Sequence, residues 1–137
     1  MKLSVIYINY RTSHFLQRSL PLLLISLQKI SFEIYIVDNN SWDDRLNKLK
    51  LNYPSLFFFK NSRNVGFAAA CNQALRYCKG DYILFLNPDV LVQPTTISPM
   101  IRYLEENANI GIIAPKLINP NGSLQYSCRR YPTLTTH

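Results

Sequence analysis

Short apolar runs alternate with stretches of helical spacing along most of this 137-residue chain. That alternation is its most restrictive feature, because β and α segments taken in turn imply a mostly parallel sheet covered by helices on both faces. The strand-like runs are Leu3 to Ile8, Glu33 to Val37, Leu56 to Phe59, Tyr82 to Leu86 and Ile110 to Ala114. The helical stretches between them start near Thr12 or Ser13, near Ser41 or Asp43, at Phe67 and at Thr95. The hydroxyl and carboxylate residues among those starts are natural N-caps. Pro21 should kink or split the first helix. Gly80 reads as the C-cap of the third, which runs to Tyr77. After the fifth strand, Asn119-Pro120-Asn121-Gly122 is a hairpin turn signal. The length suits a single domain over residues 1–137, with no repeat or linker in it.

Tyr82 to Leu86 is continuously apolar and is followed by Asn87-Pro88-Asp89. Such a run reads as a strand buried on both faces, hence central, and Pro88 should end it. Asp89 then sits at a strand's carboxyl end, where open α/β sheets bind their ligands. A parallel sheet gathers all of those ends on one rim. The first strand delivers Asn9 and Tyr10 there, and the second delivers Asp38, Asn39 and Asn40. The third delivers Asn61 and, through its loop, Asn64 and Gly66, while the fourth delivers Asn87 and Asp89. Each position alone has a local explanation, since Asn and Asp favour turns. Four strand ends with such residues are a stronger signal. Asp38 is suited to accept from a base N–H or a ribose hydroxyl, and Tyr10 to stack on a base. Asp89 can offer a hard oxygen ligand to Mg²⁺ or Mn²⁺, ions that take one or two protein carboxylates and fill the rest with phosphate and water.

The chain has no GxGxxG and no GxxxxGK[ST], and it holds only four glycines. A dinucleotide fold and a P-loop are thereby disfavoured, and a metal must do more of the charge neutralisation. The formal net charge of +7 favours an anionic partner: nucleotide phosphates, an anionic membrane surface or nucleic acid. The basic residues are scattered, which argues against a nucleic-acid stripe. Cys71, Cys78 and Cys128 form no CxxC pair, so a reduced intracellular compartment is expected and zinc is not. Cys71 and Cys78, seven apart on one helix, read as packing residues. The apolar runs are too short to span a membrane, so a cytoplasmic location is expected, with the positive charge suited to peripheral contact at the inner face of the cell membrane.

Taken together in order and spacing, these residues resemble family 2 glycosyltransferases of the GT-A fold, in particular their rhamnosyltransferase-like branch. The matching pieces are Ser4-Val5-Ile6 with Asn9-Tyr10, Ile36 to Ser41, Asn61, Asn64 to Ala68, Asn72, Gly80 to Tyr82 and Leu86 to Asp89. They continue with Gly111, Pro115-Lys116, Gly122-Ser123, Ser127, Arg129-Arg130 and Pro132. The resemblance implies a three-layer α/β/α fold and a nucleotide-diphosphate sugar donor. It implies inverting transfer to a glycan or lipid-linked acceptor in cell-envelope polysaccharide synthesis. By the same resemblance Asn9, Tyr10, Asp38, Asn40, Asn64, Gly66, Asn72 and Asn87 belong to donor binding and Asp89 to the metal. The family's metal motif is usually D-x-D, and Asn87 fills its first position here. Cys71 stands where many relatives carry arginine, a role open to Arg63, Arg129 or Arg130.

The family's catalytic base is a carboxylate some tens of residues beyond the hairpin. The last carboxylate of this sequence is Glu106, and His137 is the one later residue able to act as a base. The expectation is therefore a donor-binding portion whose base lies beyond His137 and which transfers no sugar at a useful rate alone. The alternative is a non-catalytic nucleotide- or partner-binding remnant. A flavodoxin-like domain leaves Asn87-Pro88-Asp89 and the hairpin unexplained.

Overall fold

The computed structural model describes residues 2–126. Expectations resting on Ser127, Cys128, Arg129, Arg130, Pro132 and His137 lie outside those residues. Eight elements follow one another: β1 (Leu3–Asn9), α1 (Ser13–Ser26), β2 (Phe32–Asp38), α2 (Asp44–Asn52), β3 (Phe57–Lys60), α3 (Phe67–Leu75), β4 (Tyr82–Leu86) and α4 (Ile97–Glu106). The strands form one parallel sheet in the order β3-β2-β1-β4. Val5 lies opposite Ile34 on one side and Leu84 on the other.

The period of two along each strand divides the core between the faces. Leu3, Val5, Tyr7, Ile34 and Ile36 pack with Leu16, Leu20 and Leu23 of α1, Leu49 of α2, and Ile97 and Ile101 of α4. Ile6, Ile8, Tyr35 and Val37 face the other way, onto Ala70, Cys71 and Ala74 of α3. The alanines of α3 let its backbone lie close to the sheet. Cys71 and Cys78 are free thiols of this second cluster, and burial raises both above the ordinary thiol value. Their packing role holds, although Cys78 lies past the end of α3.

Several expectations need correction. Pro21 does not split α1, which runs unbroken from Ser13 to Ser26. An internal proline costs about 3 kcal/mol, but Leu16, Leu20, Leu23 and Leu27 are all fully buried. Each such burial is worth ~1.5–3 kcal/mol, so packing outweighs the lost backbone bond. Among the described residues β4 is an edge strand and not a central one: it pairs there with β1 alone, and Phe85 on its α3-side face is 49% exposed. The fully buried strand is β1, whose hydropathy is interrupted by Ser4 and Asn9. Ile110 to Ala114 forms no strand, and Ile112 is 91% exposed. A β-rich run becomes a strand only beside a partner, and no described residue pairs with it. The following turn does form, with an antiparallel bridge between Ile118 and Leu124. On α2 Leu49 carries the buried face, while Leu51 is exposed.

Gly80 is not a helix cap, since α3 ends at Leu75 with Arg76 at its C-cap. Gly80 instead runs against β1: a Cβ there would lie 2.5 Å from the Ser4 nitrogen and 2.7 Å from the Leu3 carbonyl carbon. It completes a polar knot at the amino edge of the sheet. The Gly80 N–H donates to Ser4 Oγ (2.8 Å), and Ser4 Oγ donates to Glu33 Oε1 (2.6 Å). The Lys79 N–H also donates to Glu33 Oε1 (2.5 Å), and Tyr35 Oη lies 3.0 Å from Glu33 Oε2. Burial alone would raise the Glu33 carboxyl, but the donors Ser4, Lys79 N–H and Tyr35 hold it below the ordinary carboxylate range. Burial and the neighbouring Glu33 push Tyr35 up to about 12.

Candidate functional site at the carboxyl rim

β1 and β2 run in register to their last residues, so Asn9 lies directly beside Asp38. Both side chains are buried. Asn9 Nδ2 donates to Asp38 Oδ1 (2.9 Å) and lies 2.9 Å from Ser41 Oγ and 3.1 Å from Ser13 Oγ. Asn9 Oδ1 accepts from Thr12 Oγ1 (2.9 Å). Ser41 closes over the carboxylate: its hydroxyl donates to Asp38 Oδ1, and its N–H reaches Asp38 Oδ2 (3.3 Å). Ser41 Oγ also accepts from the Arg11 N–H (2.9 Å).

These bonds explain why the expected caps are placed differently. Thr12 is the N-cap residue of α1, yet its hydroxyl serves Asn9 and makes no cap bond. Ser13 is the first residue of the helix proper. Asp43, not Ser41, caps α2 by accepting from the Arg45 N–H (2.9 Å).

A second relay extends from β2 to β3 and α3. The Asn39 N–H donates to the Asn9 carbonyl (2.8 Å), and the Asn61 N–H to the Asp38 carbonyl (2.8 Å). Asn39 Nδ2 donates to the Gly66 carbonyl (3.2 Å), and Asn61 Nδ2 donates to Asn39 Oδ1 (2.9 Å). Asn64 Oδ1 accepts from the Gly66 N–H (2.9 Å). Gly66 has φ +84°, a conformation that favours glycine, and serves as N-cap residue of α3. The relay thereby brings the amino end of α3 to the rim.

The structure thus gathers Asn9 and Asp38 at two strand ends with Tyr10, Asn40, Asn64 and Gly66 on the adjoining loops. Tyr10 is exposed, with the Arg11 guanidinium 5.2 Å from its ring centre. Asn40 is half-buried with φ +68°. Asn87 and Asp89 follow β4 in a tight turn closed by Val90 N–H to the Asn87 carbonyl (3.2 Å), and both are exposed. Tyr7 lies opposite Leu86, so continuing that register sets Pro88 alongside Asn9. Asp89 is then on the order of 10 Å from Asp38, two strand spacings away. Asn72 is not at the rim. It sits on the exposed side of α3, five residues or roughly 7–8 Å along the axis from the helix start.

Asp38 is only 2% exposed. Three donors occupy most of its roughly four acceptor positions, so it already holds the β1–α1 and β2–α2 loops together. Its structural work was not apparent from the sequence, nor were the roles of Asn39, Ser13 and Ser41. The one available signal was the density of short polar side chains in Asn39-Asn40-Ser41.

Asp89 and Asn87 suit a hard cation bound in an open site. One carboxylate and one amide oxygen leave coordination positions for phosphate and water, as Mg²⁺ and Mn²⁺ prefer. Among the described residues no group of three or more His, Cys, Asp or Glu is gathered, so a closed metal cage is absent there.

Comparison with known proteins accords with this geometry. The family described as Glycosyl transferase family 2 matches residues 4–133. The N-acetylglucosaminyl-diphospho-decaprenol L-rhamnosyltransferase of Mycobacterium tuberculosis is 23% identical, over 96% of this chain and 46% of that protein. S. aureus TarS 1-349, solved in complex with UDP-GlcNAc, superposes with a TM-score of 0.68 at 25% identity, covering 79% of this chain and 32% of TarS 1-349. The mannosyltransferase PcManGT from Pyrobaculum calidifontis, solved with GDP-Man and Mn²⁺, gives 0.66 at 21% identity, covering 75% and 32%. The chain spans less than half the length of each of these relatives.

Proposed function

The chain belongs to glycosyl transferase family 2, and on that premise we propose that its carboxyl rim binds a nucleotide-diphosphate sugar for inverting transfer to a glycan or lipid-linked acceptor. The observation that carries this reading is the joined cluster of Asn9, Asp38 and Asn39, with exposed Asn87 and Asp89 following β4 on the other side of β1. The separation of Asp38 and Asp89 is on the scale of a nucleoside diphosphate.

In this reading Asp38 accepts from the base or ribose and Asn9 fixes its orientation. Tyr10 and Asn40 border the nucleoside. The amino end of α3, presented by Asn64 and Gly66, faces the diphosphate with its partial positive charge. Asn87 and Asp89 hold Mg²⁺ or Mn²⁺, which supplies charge neutralisation for the leaving diphosphate. Asn72 contributes only if the donor reaches over α3. No carboxylate follows Glu106, and the base that takes the acceptor's proton is assigned to no residue of this chain.

A lipid-linked acceptor accords with the mycobacterial relative, an N-acetylglucosaminyl-diphospho-decaprenol L-rhamnosyltransferase. No helix among the described residues is long and apolar enough to cross a membrane. A cytoplasmic place at the inner membrane face, reached through the net charge of +7, follows as part of the proposal.

Calorimetric titration with UDP, dTDP and GDP, with and without Mn²⁺, tests the reading. Saturable, Mn²⁺-strengthened binding of at least one nucleotide is expected. Absence of binding by all three sinks it. Nucleotide binding without sugar transfer is the outcome expected of this chain alone, and robust transfer by it would overturn the placing of the base outside these residues.

A further inference from the structure

Trp42 is the sole tryptophan of the chain and is 81% exposed. It also has φ +51°, a left-handed conformation that is an outlier for a bulky side chain. Such backbone strain persists where surrounding contacts over-determine it, and it concentrates at ligand sites. Here the neighbouring contacts do that. Ser41 is pinned by Asp38, Asn9 and the Arg11 N–H, Asp43 caps α2, and Asn40 and Arg11 share the left-handed region at φ +68° and +59°. The turn holds its indole out in solvent, where burial returns nothing for the strain.

The indole's surroundings identify what it would meet. Lys60, opposite Asp38 at the end of β3, places its ammonium 5.7 Å from the ring centre. On the adjoining loop the Arg11 N–H holds Ser41, and its guanidinium lies over Tyr10. An exposed aromatic face with one ammonium beside it, four residues from the Asp38 carboxylate, suits an aromatic heterocycle that carries negative charge. We infer that Trp42 is a specificity-determining face that stacks on the nucleobase of a nucleoside diphosphate, with Lys60 steadying the indole. The inference rests on the proposed rim site and adds a residue outside its donor-binding set.

Because Trp42 is the sole tryptophan, its fluorescence reports this contact directly. The intact chain is titrated with UDP and GDP, exciting beyond the nucleotide absorption, with calorimetry in parallel. Ribose 5-phosphate with pyrophosphate supplies the same anionic groups without a base. Saturable quenching by a nucleoside diphosphate, with the calorimetric midpoint, is expected, and the base-free mixture should leave the signal unchanged. Trp42→Ala should weaken binding about five- to a hundredfold, the range for loss of one base–aromatic stack. Trp42→Phe should restore most of it, and the thermal midpoint of both variants should match the parent because the side chain is exposed. Unaltered fluorescence and unaltered Trp42→Ala affinity, with binding still lost in Asp38→Asn, would overturn the inference and leave the rim reading standing. Quenching by the base-free mixture would overturn the nucleobase as the occupant. No binding by calorimetry would remove both.

Discussion

Each edge of the sheet carries a buried carboxylate surrounded by hydroxyl and backbone donors. At the amino edge Glu33 is held by Ser4, Tyr35 and the Lys79 N–H, with Gly80 pressed against β1. At the carboxyl edge Asp38 is held by Asn9 and Ser41. The inventories are alike, but the surroundings are not. The Glu33 knot joins a strand start to the close backbone approach at Lys79-Gly80. The Asp38 cluster is bounded by left-handed residues at Arg11, Asn40 and Trp42, and by exposed Tyr10 and Asn64. A satisfied buried carboxylate is therefore not in itself a sign of a site. Strain and exposure in the loops above it distinguish one edge from the other.

The largest effect should come from filling the closed knot. Gly80→Ala puts a methyl group against the backbone of β1, where overpacking should lower stability by about 3 kcal/mol. An unchanged urea midpoint would show that the knot is looser than described. A paired test of the two carboxylates comes next. Glu33→Gln should lower stability by about 1–3 kcal/mol and leave nucleotide affinity unaltered. Asp38→Asn should weaken nucleoside diphosphate binding about ten- to a hundredfold, with a stability loss near 1 kcal/mol. The contrast collapses if both variants lose affinity equally.

Asp89→Ala should matter less, and only with metal present. Affinity for a nucleoside diphosphate in Mn²⁺ should fall about tenfold, roughly the value of one charged ligand. Affinity in chelator should stay the same, as should the thermal midpoint. Equal loss with and without Mn²⁺ would dismiss the metal role. The smallest effect is on acid stability. Glu33 is held below its ordinary value in the folded state, so its contribution is present above its unfolded pKa of about 4.3 and is lost as pH falls through the folded value. The stability gap between the parent and Glu33→Gln should narrow as pH falls below about 4 in urea titrations. A gap that widens there would reverse the assigned direction.

Much of the fold was legible before the structure. Glu33 to Val37 and Tyr82 to Leu86 are apolar enough that their strands follow from local pattern alone. The rim followed from parallel topology, since Asn9, Asp38 and Asn64 must share an edge if their strands run the same way. Neighbourhood was not legible. The apolar run of β4 suggested a central strand, yet its place depends on which strand β1 accepts on each side. Ile110 to Ala114 has the composition of a strand and lacks a partner among the described residues. Gly80 resembled a cap because a sequence shows conformational freedom but not the backbone that passes beside it.

The sequence by itself determined the alternating α/β class, the parallel direction of the strands and the polar character of their carboxyl ends. Those properties depend on residue type and period along one chain. The tertiary structure decided which polar residues serve the fold and which face outward. Asn9 and Asp38 are 29 residues apart and meet only through strand register. Ser41 was diverted from helix capping by a carboxylate already in place, and Trp42 was turned outward by the same loop closure. Hydrogen-bond competition among distant groups settles such choices, and it exists only once the sheet has formed.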